Sequence, residues 1–409
     1  MNELERPFFF MTVLWGKRFR EYFLNWCLPT LLAPGNIPAL STRIKSRMII
    51  ATRPEDWDAM MQSSIVEIAL KYVEFDFIEI PPCPEGLHGC QHMGIGHKLC
   101  AERAFDDKAY GFFFQPDTMF SDGTIAKLQE LAIAGKELVL AVALRFGEEL
   151  FFKHLPINMN CSKDFKVIAP LSISSRAMVH AAINGMHSET LAYRWDEPGI
   201  LSHYPAVWWP APDGVIVHSM SWAPLLIDYK AIGEHDTSTF HAWTIDGDYV
   251  HNNIQKMDRV KIYIVQDSDE IFLASWTPMA TRPVKRLRTL FFEKYISELL
   301  FRQSYRSGLF DKFQQENFMK PVRWHVHNLT PASIYGWDDV EFEAQSELKR
   351  VIGNDAKPNW LKRAGATILV VFAYFWIYKH RTGSLIVRIF RRDPYVFKRI
   401  WWLVTRTVQ

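Results

Sequence analysis

YGFFFQPDTMFSDGTIAK, residues Tyr110–Lys127, joins an aromatic run to a carboxylate and then to a helix start. The run Tyr110–Phe114, interrupted only by Gly111, stops at Gln115-Pro116-Asp117. A short aromatic stretch closed by proline and aspartate predicts a buried strand that carries Asp117 to the edge of a sheet. Ser121-Asp122-Gly123 then reads as the cap of a helix, Thr124–Ala134, with Ile125, Leu128, Leu131 and Ala132 on one face. Open α/β sheets bind ligands outside the carboxyl ends of their strands, where Asp117 would sit. A helix-entry turn accounts for one such aspartate equally well, so the flanking chain decides.

Working outward, four more apolar runs predict strands: Phe8–Trp15, Met48–Thr52, Phe75–Ile80 and Leu138–Leu144. Helical spacing fills Lys17–Trp26, Asp56–Tyr72 and Ile95–Phe105 between them, and Leu31–Ala39 reads as a loop through Pro34, Gly35 and Pro38. The alternation predicts an α/β fold, with a mostly parallel open sheet covered by helices on both faces. No GxGxxG follows the first strand and no GxxxxGK[ST] occurs, so neither an ordinary dinucleotide fold nor a P-loop is indicated.

In this order of elements, residues Phe8–Phe146 resemble the nucleotide-sugar domain of GT-A glycosyltransferases. A helix with Arg103 precedes a strand ending at Gln115-Pro116-Asp117, and Thr118–Gly123 is similar to the turn that follows the family's Asp-x-Asp motif. Gln115 stands where the first Asp would be. The resemblance implies a nucleotide-sugar donor over the carboxyl ends of the first, second and fourth strands. It implies Asp117 at a divalent cation (Mn²⁺ or Mg²⁺), and Thr12, Trp15, Arg53, Arg103, Gln115 and Asp122 around the donor. The missing carboxylate puts metal dependence in question, and arginine contacts to the diphosphate are the alternative.

Elsewhere, two acidic pairs follow apolar segments: Asp246 and Asp248, flanked by His241 and His251, and Asp267 with Asp269. Each reads either as a hairpin turn or as a source of a general base, with Asp246, Asp248 and Asp269 as candidates. Cys83, His88, Cys90, His92 and His97, spaced by glycines, match no common zinc arrangement; they read as a glycine-rich loop, structural or lying over a cleft. Trp208, Trp209 and Trp222 around a Pro-rich turn suit either core packing or stacking of a sugar or base. Arg145-Phe146 borders the same edge. Arg282–Phe318 reads as a helical arm.

The 409 residues are 48% apolar and 22% charged, which excludes a disordered chain. They divide into a nucleotide-sugar domain (1–150), an acceptor-side α+β region (151–352) and a tail (353–409). The net charge of +2 hides an asymmetry: residues 360–409 hold ten Lys/Arg against Asp393 alone, leaving 37 basic and 44 acidic residues for the rest. The uncharged run Ala364–Tyr378, between basic flanks, would span about 22 Å as a helix, short of a bilayer's roughly 30 Å. It suits a helix lying on an anionic membrane, whereas the acidic body argues against nucleic acid. Five scattered cysteines and no visible secretory leader suggest a cytoplasmic setting. The sequence therefore predicts a glycosyltransferase at the cytoplasmic face of a membrane, using a glycan or lipid-linked acceptor. A non-catalytic scaffold with a degenerate GT-A fold is the alternative.

Overall fold

The computed structural model describes residues 3–157, 169–201, 203–241, 244–245, 247–254, 258–288, 293–306 and 312–353. Asp246 and the basic tail lie outside them, and Asp248 is described by its backbone alone. Among the described residues no helix is long and apolar enough to cross a membrane.

The chain is a mixed α/β fold around a seven-stranded sheet. In chain order the strands are β1 (Phe8–Val13), β2 (Arg47–Thr52), β3 (Glu74–Glu79), β4 (Tyr110–Phe113), β5 (Thr118–Phe120), β6 (Leu138–Val142) and β7 (Arg145–Gly147). They continue with β8 (Ala206–Ala211), β9 (Gly214–Ser219), β10 (Trp222–Asp228), β11 (Ile262–Ile264), β12 (Leu273–Thr277) and β13 (Val322–His325). The central order is β11-β6-β10-β4-β1-β2-β3; two three-stranded sheets, β5-β12-β7 and β13-β9-β8, flank it. All five strands expected from the apolar runs lie in the central sheet. Six of its seven strands run parallel, and β10 enters antiparallel between β4 and β6.

Side-chain alternation builds a core on each face. Along β1, Phe8 and Phe10 join one hydrophobic cluster, while Phe9, Met11 and Val13 join the other. Gly111 in β4 is glycine because a Cβ there would lie 2.5 Å from the Tyr229 ring and 2.8 Å from Met11 Cε.

Several local expectations need correction. The helix after β1 runs on past Trp26, through a π turn at Phe23–Cys27 to Leu31, so the loop begins later. Asp56–Tyr72 is two helices, Pro54–Met61 and Ser64–Ala69, parted at Gln62-Ser63. Most of the glycine-rich segment is not a loop: one helix spans Gly89–Asp106. Its glycines permit close approach to the sheet, since a Cβ on Gly96 would lie 2.7 Å from Val13. The acidic segment around Asp248 is no hairpin turn either, because Gly247–Ile254 is a helix. A turn is present at Ser268–Glu270, but it joins β11 and β12, which lie in different sheets, so it closes no hairpin.

Candidate active site

Connections from β1 and β4 leave in opposite directions across the sheet: β1 leads to β2, and β4 leads towards β6. The crevice outside their carboxyl ends is the topological switch point, where such sheets bind ligands. The chain also changes sheets here twice. After β4 it passes through Phe114–Asp117 into β5, and after β6 it passes through Ala143-Leu144 into β7. Strand β12 joins both crossings: Ser275 pairs with Thr118 on one side and with Arg145 on the other. The backbone N–H of Trp276 donates to the Asp117 carbonyl at 3.3 Å.

Asp117 and Arg145, 28 positions apart, thereby meet at one edge. Burial raises the Asp117 carboxyl from 3.8 to about 6, against the opposing pull of a backbone hydrogen bond, Arg145 and Arg18, while Glu148 adds to the rise. Among the described residues Asp117 has no ion pair at contact distance. Strongly desolvated carboxyls in clefts mark functional sites more often than surface acids do.

Two cavities lie near this half-buried acid, lined by its neighbours Gln115 and Thr118 in one and by Arg18 and Glu148 in the other, though Asp117 itself lines neither. One, of about 580 Å³, is lined by Phe113, Gln115, Arg145, Ser221, Trp222 and Ser275 among others, and Thr244, Ile245 and Val250 border it. Its size suits a nucleotide-sized ligand. The other, of about 740 Å³, is lined by Arg18, Tyr22, Glu148 and Lys153 among others. Tyr22 donates to Glu148 Oε2 at 2.5 Å, and Arg18 donates to the Tyr22 hydroxyl. The π turn places Cys27 Sγ 3.8 Å from the Gln115 carbonyl, fixing the start of the crossing.

Over the ends of β1 and β2 lie several buried polar atoms without hydrogen-bond partners: Thr12 Oγ1, Thr52 Oγ1, Arg53 Nε and both ring nitrogens of His92. The His92 ring stands edge-on to Trp15, with centroids 5.0 Å apart. Burial lowers the His92 pKa, outweighing the pull of the nearby Pro81 carbonyl, which does not meet hydrogen-bond geometry, and Arg53 lowers it further. Trp222, on the wall of the first cavity, also has an unpartnered Nε1. Buried polar groups are normally satisfied, so such a concentration calls for an explanation, and a polar ligand supplies one.

The structure thus brings Thr12, Trp15, Arg53, Gln115 and Asp117 to one edge of the sheet. Three other candidates lie away from it. Arg103 sits in the last turn of the helix Gly89–Asp106 and pairs with Asp107 and Asp76, near Arg47 at the amino-terminal end of β2. Asp122 is not a cap: the N-cap is Gly123, at φ 95°, and the Asp122 carboxylate accepts from the Gly35 N–H at 2.6 Å and from Ser172. Asp269 follows β11, three interstrand spacings or roughly 14 Å along the sheet from β4. Arg176 grips it with two hydrogen bonds.

Sequence reasoning gave Arg18 and Thr52 no role and assigned His92 to a loop. The helix boundary was the missing signal for His92. Nothing local distinguishes Arg18 from its neighbours Lys17 and Arg20.

The donor set at Asp117 does not fit a cation held by protein ligands alone. It offers one carboxylate and one amide, and two arginines reach the same acid electrostatically. Among the described residues, three metal-ligand side chains come together only at Asp267, Asp269 and His325, whose ligand atoms lie within 4.8 Å of one another.

No protein-family model and no curated protein matches the chain. Among solved structures, the chain is similar to a Bacillus anthracis protein described as a candidate glucose-1-phosphate thymidylyltransferase in complex with sucrose. That match has a TM-score of 0.29 at 12% identity and covers 63% of this chain and 86% of that one. A likeness so distant carries no argument about chemistry, and the reading below rests on the site itself.

Proposed function

We propose that the chain is a transferase that uses a nucleoside-diphosphate sugar and passes the sugar to a hydroxyl of a glycan or lipid-linked acceptor. The observation behind this reading is Asp117: a desolvated carboxyl at the switch point, under the electrostatic influence of Arg18 and Arg145, each of which lines a cavity nearby. The diphosphate would lie against the two guanidinium groups, whose planar forks match phosphate oxygens and stabilise charge that develops on the leaving diphosphate. Asp117 and Gln115 would orient the sugar by hydrogen bonds. Thr12, Trp15, Arg53 and His92 would take the nucleoside, whose polar edges pair with the unsatisfied atoms of Thr12, Arg53 and His92. The acceptor's proton would go to Asp246 or Asp248, since Thr244, Ile245 and Val250 of the same segment line the cavity. Asp269 serves this role poorly because both its oxygens are already bonded. We place the reaction at the cytoplasmic face of an anionic membrane, reached through the basic tail, and nucleic acid has no part in it.

A non-catalytic scaffold remains the second reading, and the specific observation in its favour is Gln115 in place of a second carboxylate beside Asp117. Calorimetric titration with UDP-, GDP- and CMP-sugars, with and without Mn²⁺, separates the two. Binding accompanied by slow donor hydrolysis is expected, with little dependence on Mn²⁺. Binding without turnover in the presence of any acceptor would favour the scaffold, and no binding of any donor would end both.

A further inference from the structure

A third cavity, of about 550 Å³, lies away from the crevice, among the segment 195–199, β8 and the helices Glu293–Arg306 and Pro331–Ile352. Trp195 and Trp209 line it, with ring centroids 5.7 Å apart, and Phe301 supports Trp195 edge-on at 5.1 Å. Arg286 holds the neighbouring backbone rigid. It donates to the carbonyls of Ala192 at 2.8 Å, Arg194 at 2.6 Å and Gly199 at 3.1 Å, and also to that of Glu197. An arginine committed to four carbonyls fixes the loop, while its charge also reaches Glu197, Asp196 and Glu293 without a contact ion pair among the described residues. The indole floor is preorganised before any ligand arrives.

The electrostatics narrow the ligand. Six carboxylates line the cavity against Arg286 and Lys294. Most have partners: Asp196 pairs with Arg194, Glu293 with Arg288, and Glu298 and Glu347 with Arg350. Glu197 and Glu343 have no ion pair among the described residues, and both are exposed. A phosphate or sulfate would be repelled by this lining. A stripped apolar ligand would leave the carboxylates without donors. A neutral sugar satisfies both parts, because its ring C–H bonds stack on indole while its hydroxyls donate to carboxylate oxygens.

We infer that this cavity is a carbohydrate-binding subsite for a neutral saccharide, separate from the crevice that holds Asp117. Trp195, backed by the buried Trp209, forms its platform, and Glu197 and Glu343 accept hydroxyl hydrogens at its rim. The inference stands independently of the transfer chemistry, since a non-catalytic chain would carry the same subsite.

The test uses the full chain and three neutral probes, cellotriose, maltotriose and chitotriose, followed by saturation-transfer NMR and tryptophan fluorescence. At least one probe is expected to bind with millimolar affinity. Trp195→Leu and Glu343→Ala should each weaken that binding at least fivefold while leaving nucleotide-sugar titrations unchanged. Glu343 is exposed on a helix, so its variant remains informative if Trp195→Leu fails to fold. The proposal is overturned if none of the probes binds, or if binding is unchanged in the variants that fold. It also falls if tetramethylammonium binds and the saccharides do not, which would make the cavity an organic-cation site.

Discussion

The edge at Asp117 and the corner at His325 use the same residue types in opposite ways. Around His325, every charge has a partner. Its Nε2 lies 2.9 Å from Asp267, its Nδ1 lies 2.6 Å from the His327 carbonyl, and Arg176 holds Asp269. Arg323, two residues earlier on the same strand, reaches Asp338 and Glu341. With an acceptor at each ring nitrogen, the imidazolium is favoured: the His325 pKa is raised, its partners outweighing its burial. The Asp267 pKa is lowered, its bonds to His325 and the Asp269 N–H overcoming desolvation. At the other edge Asp117 is desolvated without a contacting counter-charge, and its pKa moves up. A satisfied network ties β11 to β13, whereas an unsatisfied one keeps its interactions for a ligand.

The largest expected effect comes from Asp117→Asn. Donor hydrolysis should fall about 100-fold or more, as when a group acting on the transition state is removed. Stability should move the other way. The folded pKa of Asp117 exceeds the unfolded value, so the native state loses stability as pH rises from 3.8 through about 6. The variant should therefore melt higher than the wild type at pH 8, by on the order of 2 kcal/mol, and equal it near pH 4. Full hydrolytic activity, or a variant less stable at pH 8, would break the contrast.

Asp267→Asn should act on stability alone, costing about 2 kcal/mol at pH 6 after allowance for the partial exposure of the carboxylate. Because the folded pKa of His325 is raised, its contribution is complete below the unfolded value of 6.5 and disappears as pH rises through the folded value. Urea denaturation at pH 6 and pH 9 checks this: the difference between wild type and variant should shrink at pH 9. A constant difference would remove His325 from the network.

Smaller still is Thr12→Val. It deletes a buried hydroxyl with no partner, so the unliganded chain should gain up to about 1 kcal/mol while donor affinity falls severalfold. A loss of stability would instead mean that the hydroxyl serves the fold. Arg103→Ala, at the far end of the sheet, should change stability by less than about 0.5 kcal/mol and leave donor binding untouched. Measured together by calorimetry, these two variants separate the crevice from the rest of the sheet.

All five expected strands exist: β1, β2, β4 and β6 are buried on both faces and so largely apolar, which is a local property, while the edge strand β3 alternates and stays largely open to solvent. That Thr12, Trp15, Arg53, Gln115 and Asp117 lie at the carboxyl ends of strands was legible for the same reason: they end or follow those segments. Arg103 was misplaced because a helix antiparallel to its strands puts its last turn at their amino ends, and the helix start at Gly89 was hidden by glycine. Gly96 answers to the side chains of Val13 and Ala51, which no local window contains. Strand β10 was missed as a sheet partner because its place between β4 and β6 depends on pairing with residues some 80 to 120 positions earlier.

What the sequence determined alone is the alternation of strands and helices, and with it the edge of the sheet where Asp117 lies, since the apolar pattern of each element is written into its own segment. Only the tertiary structure decided which charges meet there. Arg145 and Arg18 reach Asp117 through strand crossings and packing between distant segments, and Arg176 neutralises Asp269 in the same way. Solvation and pairing, which set whether a carboxylate is reactive or structural, exist only once the chain has closed around it.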